Sequence, residues 1–116
     1  MKIELPFIPL SVNACWRASR SGHVYKSKRY REFLKEMDTF FETIEYVKLE
    51  GELILVVDFE CRTKRRRDLD NLLKSLIDSL EGKLFENDYQ IVEIHCKKII
   101  GCKEDKTILS LIEKAI

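Results

Sequence analysis

Four aspartates and one lysine lie close together in the second half of the chain, in an order suited to binding metal and phosphate. The carboxylates are Asp68, Asp70, Asp78 and Asp88, with Lys74 between them. Carboxylate oxygens are ligands that Mg²⁺ prefers, and basic side chains bind phosphate. The segment therefore offers both halves of a metal-dependent phosphodiesterase site, and we expect its substrate to be a nucleic acid.

Asp68 and Asp70 are two residues apart, which places them on one side of an extended segment but on opposite sides of a helix. An apolar stripe begins at Leu69, so we predict that Asp68 precedes a helix and Asp70 opens it. The free N–H groups of a helix start favour anions and would keep both carboxylates ionised. Alternatively, Asp68 is only an N-cap and Asp70 only a first-turn acid, and for this pair alone that simpler interpretation is favoured.

Lys74 and Asp78 follow Asp70 at i+4 and i+8, along one edge of the same predicted helix. They could form surface ion pairs that contribute about 0.3–0.5 kcal/mol each. In a nuclease, Lys74 would instead be a fixed cation beside the reacting phosphate. The spacing alone does not decide between the two.

Asp88 lies in a polar turn that leads directly into a predicted strand. A carboxylate at the entrance of a strand is well placed to meet one at the entrance of a helix, and would supply a third metal ligand. The alternative is an ordinary turn built on Asn87 and Asp88, a common pairing.

The remaining periodicity predicts six elements in the order β-α-β-α-β-β. Ser27 is the expected N-cap of the first helix, Gly82 ends the second, and the last two strands are expected to form an antiparallel hairpin. Residues 11–25 are predicted to be an irregular loop. In chain order, the predicted elements cover residues 2–8, 28–47, 53–59, 69–80, 90–100 and 107–113.

These elements predict an α/β (α+β) fold, in which two helices pack on a small mixed β-sheet. A chain of 116 residues, 45% apolar and 35% charged, has the size of one domain, so we expect residues 1–116 to form a single unit. Neither zinc-type spacing of the four cysteines, nor a signal peptide, nor an apolar stretch of membrane-spanning length is found. We expect a cytoplasmic protein without a membrane partner.

The formal net charge of +1 argues against a uniformly basic DNA-coating protein, so any attraction to DNA must come from local patches. One patch precedes Asp68 and another lies in the N-terminal loop, where an ordinary solvated basic loop is about equally expected. Each phosphate contact would steepen the log–log salt dependence of binding by about 0.9. The candidate DNA-binding residues are Arg17, Arg20, Lys26, Lys64, Arg65, Arg66 and Arg67.

Taken together, this pattern resembles the family of RusA-like Holliday junction resolvases, the crossover junction endodeoxyribonucleases. Members of that family are small homodimeric, Mg²⁺-dependent endonucleases of mixed α/β fold, often prophage-encoded, that nick four-way DNA junctions symmetrically. The resemblance is carried by Arg67-Asp68-Leu69-Asp70-Asn71-Leu72, Lys74, Asp78-Ser79-Leu80, Asn87-Asp88, Gln90-Ile91-Val92, Lys97 or Lys98, and the N-terminal Leu5-Pro6, Pro9, Ser11 and Asn13.

The resemblance implies a role for each matching residue. Asp68, Asp70 and Asp88 would be catalytic and would bind Mg²⁺, for which Mn²⁺ may substitute, and Lys74 would be the catalytic lysine. Supporting roles would fall to Asn13, Asn71 and Asp78.

The resemblance also implies a homodimer acting on branched DNA, with paired symmetric nicks at a four-way junction. One position departs from the family pattern, because Asn87 stands where an acidic doublet is common. Two other functions therefore stay open. One is a branched-DNA-binding protein with impaired catalysis, and the other is a metal-dependent nuclease for flaps or RNA.

Overall fold

A computed structural model describes residues 1–114 of the chain. Two longer helices, six strands and two short 3₁₀ turns make up the fold. The helices are α1 (Lys28–Phe41) and α2 (Leu69–Leu80), and the 3₁₀ turns are Val12–Ala14 and Asp88–Gln90. The strands are β1 (Lys2–Leu5), β2 (Trp16–Ala18), β3 (Val24–Lys26), β4 (Leu53–Cys61), β5 (Ile91–Ile100) and β6 (Lys106–Glu113).

Helix α1 begins where the sequence predicts and ends earlier. The Ser27 side chain accepts a hydrogen bond from the Tyr30 backbone N–H at 3.1 Å, which confirms the predicted N-cap. The helix stops at Phe41 rather than residue 47. Thr43 ends it, since its backbone N–H and its hydroxyl both donate to the Phe40 carbonyl, at 2.9 and 2.6 Å.

Helix α2 covers residues 69–80 as predicted. Leu72, Leu76 and Leu80 fall on one face of the helix and are buried. Gly82 then adopts a positive φ of 87°, and its N–H donates to the Phe85 carbonyl at 2.7 Å. This conformation is easily reached only by glycine, and it turns the chain away from the helix axis.

The main sheet has the strand order β1-β6-β4-β5. Strand β4 is central, pairing in parallel with β5 and antiparallel with β6. The predicted β5–β6 hairpin is therefore wrong, because the two strands lie on opposite sides of β4. Five residues link β5 to β6 and span at most about 17 Å when extended, enough to cross the roughly 9.6 Å of two strand spacings.

Residues 11–25 are more regular than predicted. Strands β2 and β3 pair antiparallel in a small separate hairpin in which Trp16 lies opposite Lys26 and Arg17 opposite Tyr25. At the tip, Gly22 has a positive φ of 85°, and the Ser19 backbone N–H donates to the His23 carbonyl at 2.8 Å. All six residues of the two strands are exposed, so the hairpin lacks the apolar alternation by which a strand is recognised.

The core lies between one face of the sheet and the two helices. Alternate residues of β4 from Leu53 to Cys61 are buried, and the residues between them are only partly covered. The other face of the sheet and the edge strand β5 carry exposed apolar side chains, among them Val92, Ile94 and Ile112. The predicted α+β class is thus confirmed. Within residues 1–114, neither helix is long and apolar enough to cross a membrane.

Candidate active site

Asp68 and Asp70 begin α2, as the sequence predicts. Asp68 is the N-cap residue, and its backbone carbonyl accepts hydrogen bonds from the N–H groups of Asn71 and Leu72 at 3.1 and 3.2 Å. Among residues 1–114, its carboxylate makes no capping hydrogen bond and forms one ion pair, with the Arg66 Nε at 3.4 Å. Asp70 is exposed in the first turn. Both carboxylates are therefore free to bind a cation, and the interpretation of Asp68 as a side-chain cap is not supported.

Lys74 and Asp78 form a pair one turn further along α2. The Lys74 Nζ donates to Asp78 Oδ1 at 3.0 Å. This hydrogen bond, together with the charge of Asp78, raises the pKa of the Lys74 amino group, and the carboxylates of Asp88 and Glu81 add to the effect. Lys74 is therefore held protonated at one position on the exposed edge of the helix.

Asp88 lies in a turn whose backbone is tightly fixed. The Asn87 side chain accepts from the Tyr89 N–H at 3.2 Å, and the Gln90 Oε1 accepts from the N–H groups of Glu86 and Asn87, both at 3.0 Å. The Asp88 N–H donates to Glu81 Oε2 at 2.9 Å, while its own side chain is exposed. The turn thus presents the Asp88 carboxylate outward from a rigid backbone.

The two carboxylate sites lie at opposite ends of α2. Asp68 precedes the first residue of the helix, whereas Asp88 is tied to Glu81, the residue after the last. The twelve residues between them rise about 18 Å along the axis. The cause is the parallel pairing of β4 and β5, since the helix of a β-α-β unit starts at the edge where the first strand ends and the second strand starts at the opposite edge.

Within residues 1–114, no three acidic, histidine or cysteine side chains of one chain come together around a possible metal position. A single chain therefore offers the pair Asp68 and Asp70, with Asp88 elsewhere. That pair still fits Mg²⁺, which commonly takes one or two carboxylates, keeps several waters and shares substrate phosphates. The exposed oxygens of Asp68 and Asp70 meet this requirement.

The basic segment before Asp68 contains two kinds of side chain. Lys64, Arg65 and Arg66 are exposed, with Arg66 at 90%. Arg67 is only 11% exposed, and its Nη2 donates to Asp105 Oδ2 at 3.2 Å. The first three can meet DNA directly, whereas Arg67 is packed into the protein.

Arg65, Arg66 and Arg67 line a groove of about 520 Å³. Its opposite walls are the N-terminal segment of residues 6–11 and α1, which contributes Arg29. The groove also contains acidic groups, Glu32 among them, so its charge is mixed.

The N-terminal candidates lie on or beside the β2–β3 hairpin. Arg17, Arg20 and Lys26 are exposed, and the Lys26 Nζ lies 5.9 Å from the centre of the Tyr30 ring. The Ser27 hydroxyl donates to the Ala14 carbonyl at 2.7 Å and anchors the base of the hairpin. Asn13 is exposed in the 3₁₀ turn before the hairpin.

Asn71, the other predicted supporting amide, lies in the first turn of α2 and is half-buried.

Two residues near the site have no counterpart among the sequence predictions, Glu81 and Asp105. Glu81 holds the Asp88 backbone, and Asp105 pairs with Arg67. Neither residue carries a local signal, because each acts on a segment brought near it only by folding. The strand register also separates Lys97 from Lys98, since Lys98 lies opposite the buried Phe59 and donates to the Arg67 carbonyl.

The exposed carboxylates of Asp68 and Asp70, the ion-paired Lys74 and the neighbouring basic segment are the kinds of group that a phosphodiesterase site uses. The family model described as Endodeoxyribonuclease RusA matches residues 6–110. The chain therefore belongs to the RusA family of endodeoxyribonucleases, which confirms the resemblance seen in the sequence.

Two curated relatives support this assignment. The chain is similar to the crossover junction endodeoxyribonuclease rusA of Enterobacteria phage HK97, with 34% identity over 92 residues, 78% of this chain and 75% of the relative. It is also similar to the crossover junction endodeoxyribonuclease RusA of Aquifex aeolicus (strain VF5), with 26% identity over 115 residues, 96% of this chain and 90% of the relative.

Proposed function

We propose that this protein is a Mg²⁺-dependent endodeoxyribonuclease that resolves four-way DNA junctions by paired symmetric nicks. The observation that carries the proposal is the pair of exposed carboxylates, Asp68 and Asp70, directly after an exposed basic segment in a chain of the RusA family. Branched DNA is the proposed substrate, in line with the names of both relatives, which are crossover junction endodeoxyribonucleases.

Asp68 and Asp70 would hold Mg²⁺, or Mn²⁺ in its place. The chemistry that a divalent cation held there would supply is activation of a water and polarisation of the scissile phosphate. Lys74, held protonated by Asp78, provides a fixed positive charge for the oxygen that becomes negative as the bond breaks. Asp78 thereby supports catalysis by positioning Lys74.

Asp88 would complete the site of a second copy. A two-fold axis perpendicular to α2 makes the two copies of the helix antiparallel, so that the Asp88 end of one lies beside the Asp68 end of the other. Strand β5 supports a dimer, because it exposes Val92 and Ile94 at 45% and 42% and, within residues 1–114, forms an edge of the sheet. Two sites related in this way suit the two-fold symmetry of a four-way junction.

The exposed basic residues would bind the DNA backbone from two sides. Arg17, Arg20 and Lys26 do so from the β2–β3 hairpin, and Lys64, Arg65 and Arg66 from the segment before α2. Arg67, whose side chain is largely covered, would contribute by holding the shape of that segment. We further propose that residues 1–116 act as one domain in the cytoplasm.

The structure favours an active nuclease over a protein that only binds branched DNA. Asn87 accepts a backbone hydrogen bond within its turn, a role that an aspartate would fill equally, and the Asp88 carboxylate stays exposed. Asn87, the residue that departs from the family's acidic doublet, therefore has a structural role in its turn.

The proposal is tested by incubating the protein with a synthetic four-way junction while Mg²⁺ is titrated from zero. We expect paired nicks at symmetric positions that depend on Mg²⁺, no cutting of a linear duplex, and a dimer by light scattering. Preferential cutting of a flap or of RNA would support the other nuclease function. Junction binding without cutting at any Mg²⁺ or Mn²⁺ concentration would overturn the nuclease assignment.

A further inference from the structure

Asp105, in the turn between β5 and β6, contacts both ends of the segment that joins β4 to α2. Its Oδ1 accepts from the Arg62 backbone N–H at 2.8 Å, and its Oδ2 accepts from the Arg67 Nη2 at 3.2 Å. Arg62 directly follows β4, and Arg67 directly precedes the N-cap of α2. One carboxylate therefore closes residues 62–67 into a loop.

Lys98 fixes the same end of the loop through the backbone. From β5, its Nζ donates to the Arg67 carbonyl at 2.5 Å. That carbonyl belongs to the peptide bond that leads into Asp68. Arg67 is thus held by its side chain through Asp105 and by its main chain through Lys98.

By contrast, the Asp68 carboxylate is held by very little of its own. It makes no capping hydrogen bond, and its contact with Arg66 joins it to a side chain that is 90% exposed. The orientation of Asp68 therefore depends on its backbone, which is held by the start of α2 on one side and by the Arg67 peptide bond on the other. Metal ligands with such weak direct support depend on the residues behind them, whose loss typically lowers metal affinity about 10–100-fold.

We propose that Asp105 and Lys98 are positioning residues that hold Arg67 so that Asp68 faces the cation. The inference rests on the proposed function and gives Arg67 a role inside the protein rather than at the DNA. Lys98 lies in β5 and Asp105 in the turn that follows it. Because this turn crosses the end of β4, it brings Asp105 to the segment that precedes α2.

The test uses two variants and a matched control in the full chain. Asp105→Asn keeps an oxygen for the Arg62 N–H and replaces the acceptor for Arg67 by a donor. Lys98→Met removes the bond to the Arg67 carbonyl and keeps the length of the side chain. Glu104→Gln removes the same charge one residue away, where, within residues 1–114, the exposed Glu104 side chain makes no ion pair or hydrogen bond.

The first readout needs neither metal nor DNA. Residues 62–67 contain five trypsin sites. Loosening the loop should speed tryptic cleavage there by about tenfold in both variants, because cleavage requires local opening, while Glu104→Gln matches the wild type. Cleavage rates within twofold of the control in both variants would overturn the proposal.

The second readout separates positioning from general support of the fold. We expect the Mg²⁺ concentration for half-maximal junction nicking to rise about tenfold in Asp105→Asn and Lys98→Met. Junction affinity in EDTA should stay within twofold of the wild type. A loss of affinity in EDTA as large as the loss of nicking would place Arg67 at the DNA and overturn the proposal. If the wild type does not nick junctions, the proposed function fails. The trypsin readout still decides whether Asp105 and Lys98 hold Arg67 in place.

Discussion

Glu81 and Asp88 are joined by a hydrogen bond of 2.9 Å from the Asp88 backbone N–H to the Glu81 carboxylate. Glu81 is the residue that follows α2, so the bond ties the turn carrying Asp88 to the end of the helix that carries Lys74. This hydrogen bond therefore helps to position Asp88 relative to the helix that carries Lys74.

Replacing Glu81 by Ala should lower the nicking rate by about tenfold and leave junction binding unchanged, because Asp88 loses its anchor but keeps its carboxylate. Glu81→Gln keeps an oxygen acceptor and should retain most of the activity. Single-turnover nicking and gel-shift assays on one junction provide both measurements. Equal losses in the Ala and Gln variants would show that the charge of Glu81 matters, rather than its hydrogen bond.

Asp70→Asn should abolish Mg²⁺-dependent nicking and leave junction affinity unchanged or slightly tighter. The substitution keeps the volume of the side chain and removes a negative charge beside the DNA backbone. Nicking and gel-shift assays on the same four-way junction give both results. If the variant cuts at the wild-type rate, Asp70 is only a first-turn acid and the mechanism is wrong.

Arg66 and Arg67 should behave differently when each is replaced by Ala. Replacing the exposed Arg66 should weaken junction binding and reduce the log–log salt slope by about 0.9, the value for one phosphate contact. Replacing Arg67, whose side chain is largely covered, should lower the free energy of unfolding by about 1–3 kcal/mol, since the Asp105 pair and the packing of its stem are lost. Binding titrations between about 50 and 200 mM salt measure the salt slopes, and urea unfolding measures the free energies of unfolding. Over this range of salt, the affinity of a protein that makes several phosphate contacts changes by orders of magnitude. Matching salt slopes for the two variants would contradict the structural distinction.

Asn87→Asp should leave the nicking rate within about twofold of the wild type, because either side chain can accept the hydrogen bond from the Tyr89 N–H. Asn87→Ala removes that acceptor and should reduce nicking. A rise of about tenfold in Asn87→Asp would instead show that a second carboxylate takes part in the chemistry.

Asp78→Asn should lower the pKa of the Lys74 amino group toward its ordinary value of 10.5. The hydrogen bond and charge of Asp78 favour the protonated amine, so the stabilising effect of the pair is present below this value and disappears as the pH rises through the raised pKa. NMR titration of the lysine side chains measures the shift. Glu32→Gln, which removes the charge of a similar pair on α1, should leave the pKa of Lys74 unchanged.

The parts of the fold that the sequence predicts are those set by local pattern. The leucine stripe and Gly82 define α2, and the stripe also places Asp68 just before the helix. The sequence does not predict which strands pair with β5 and β6. A five-residue connection is long enough either for a hairpin or for a crossing over the end of β4.

The strand pairing that the sequence does not predict also decides where the site residues lie. Asp88 was expected to meet Asp68 because each stands at the entrance of an element. The parallel pairing of β4 and β5 puts those entrances at opposite edges of the sheet. Asp105 acts on Arg62 and Arg67 from about 40 residues away in the chain, and no local pattern signals such a contact.

Strand β1 pairs with β6, which follows it by about 100 residues in the chain, and β6 in turn lies between β1 and β4. While the chain is being synthesised, the first strand thus has no place in the sheet until residues 106–113 have left the ribosome. A prematurely terminated product would contain every carboxylate of the proposed site but would lack the strand that joins the two ends of the chain. Its exposed β4 edge would be open to pairing with other chains.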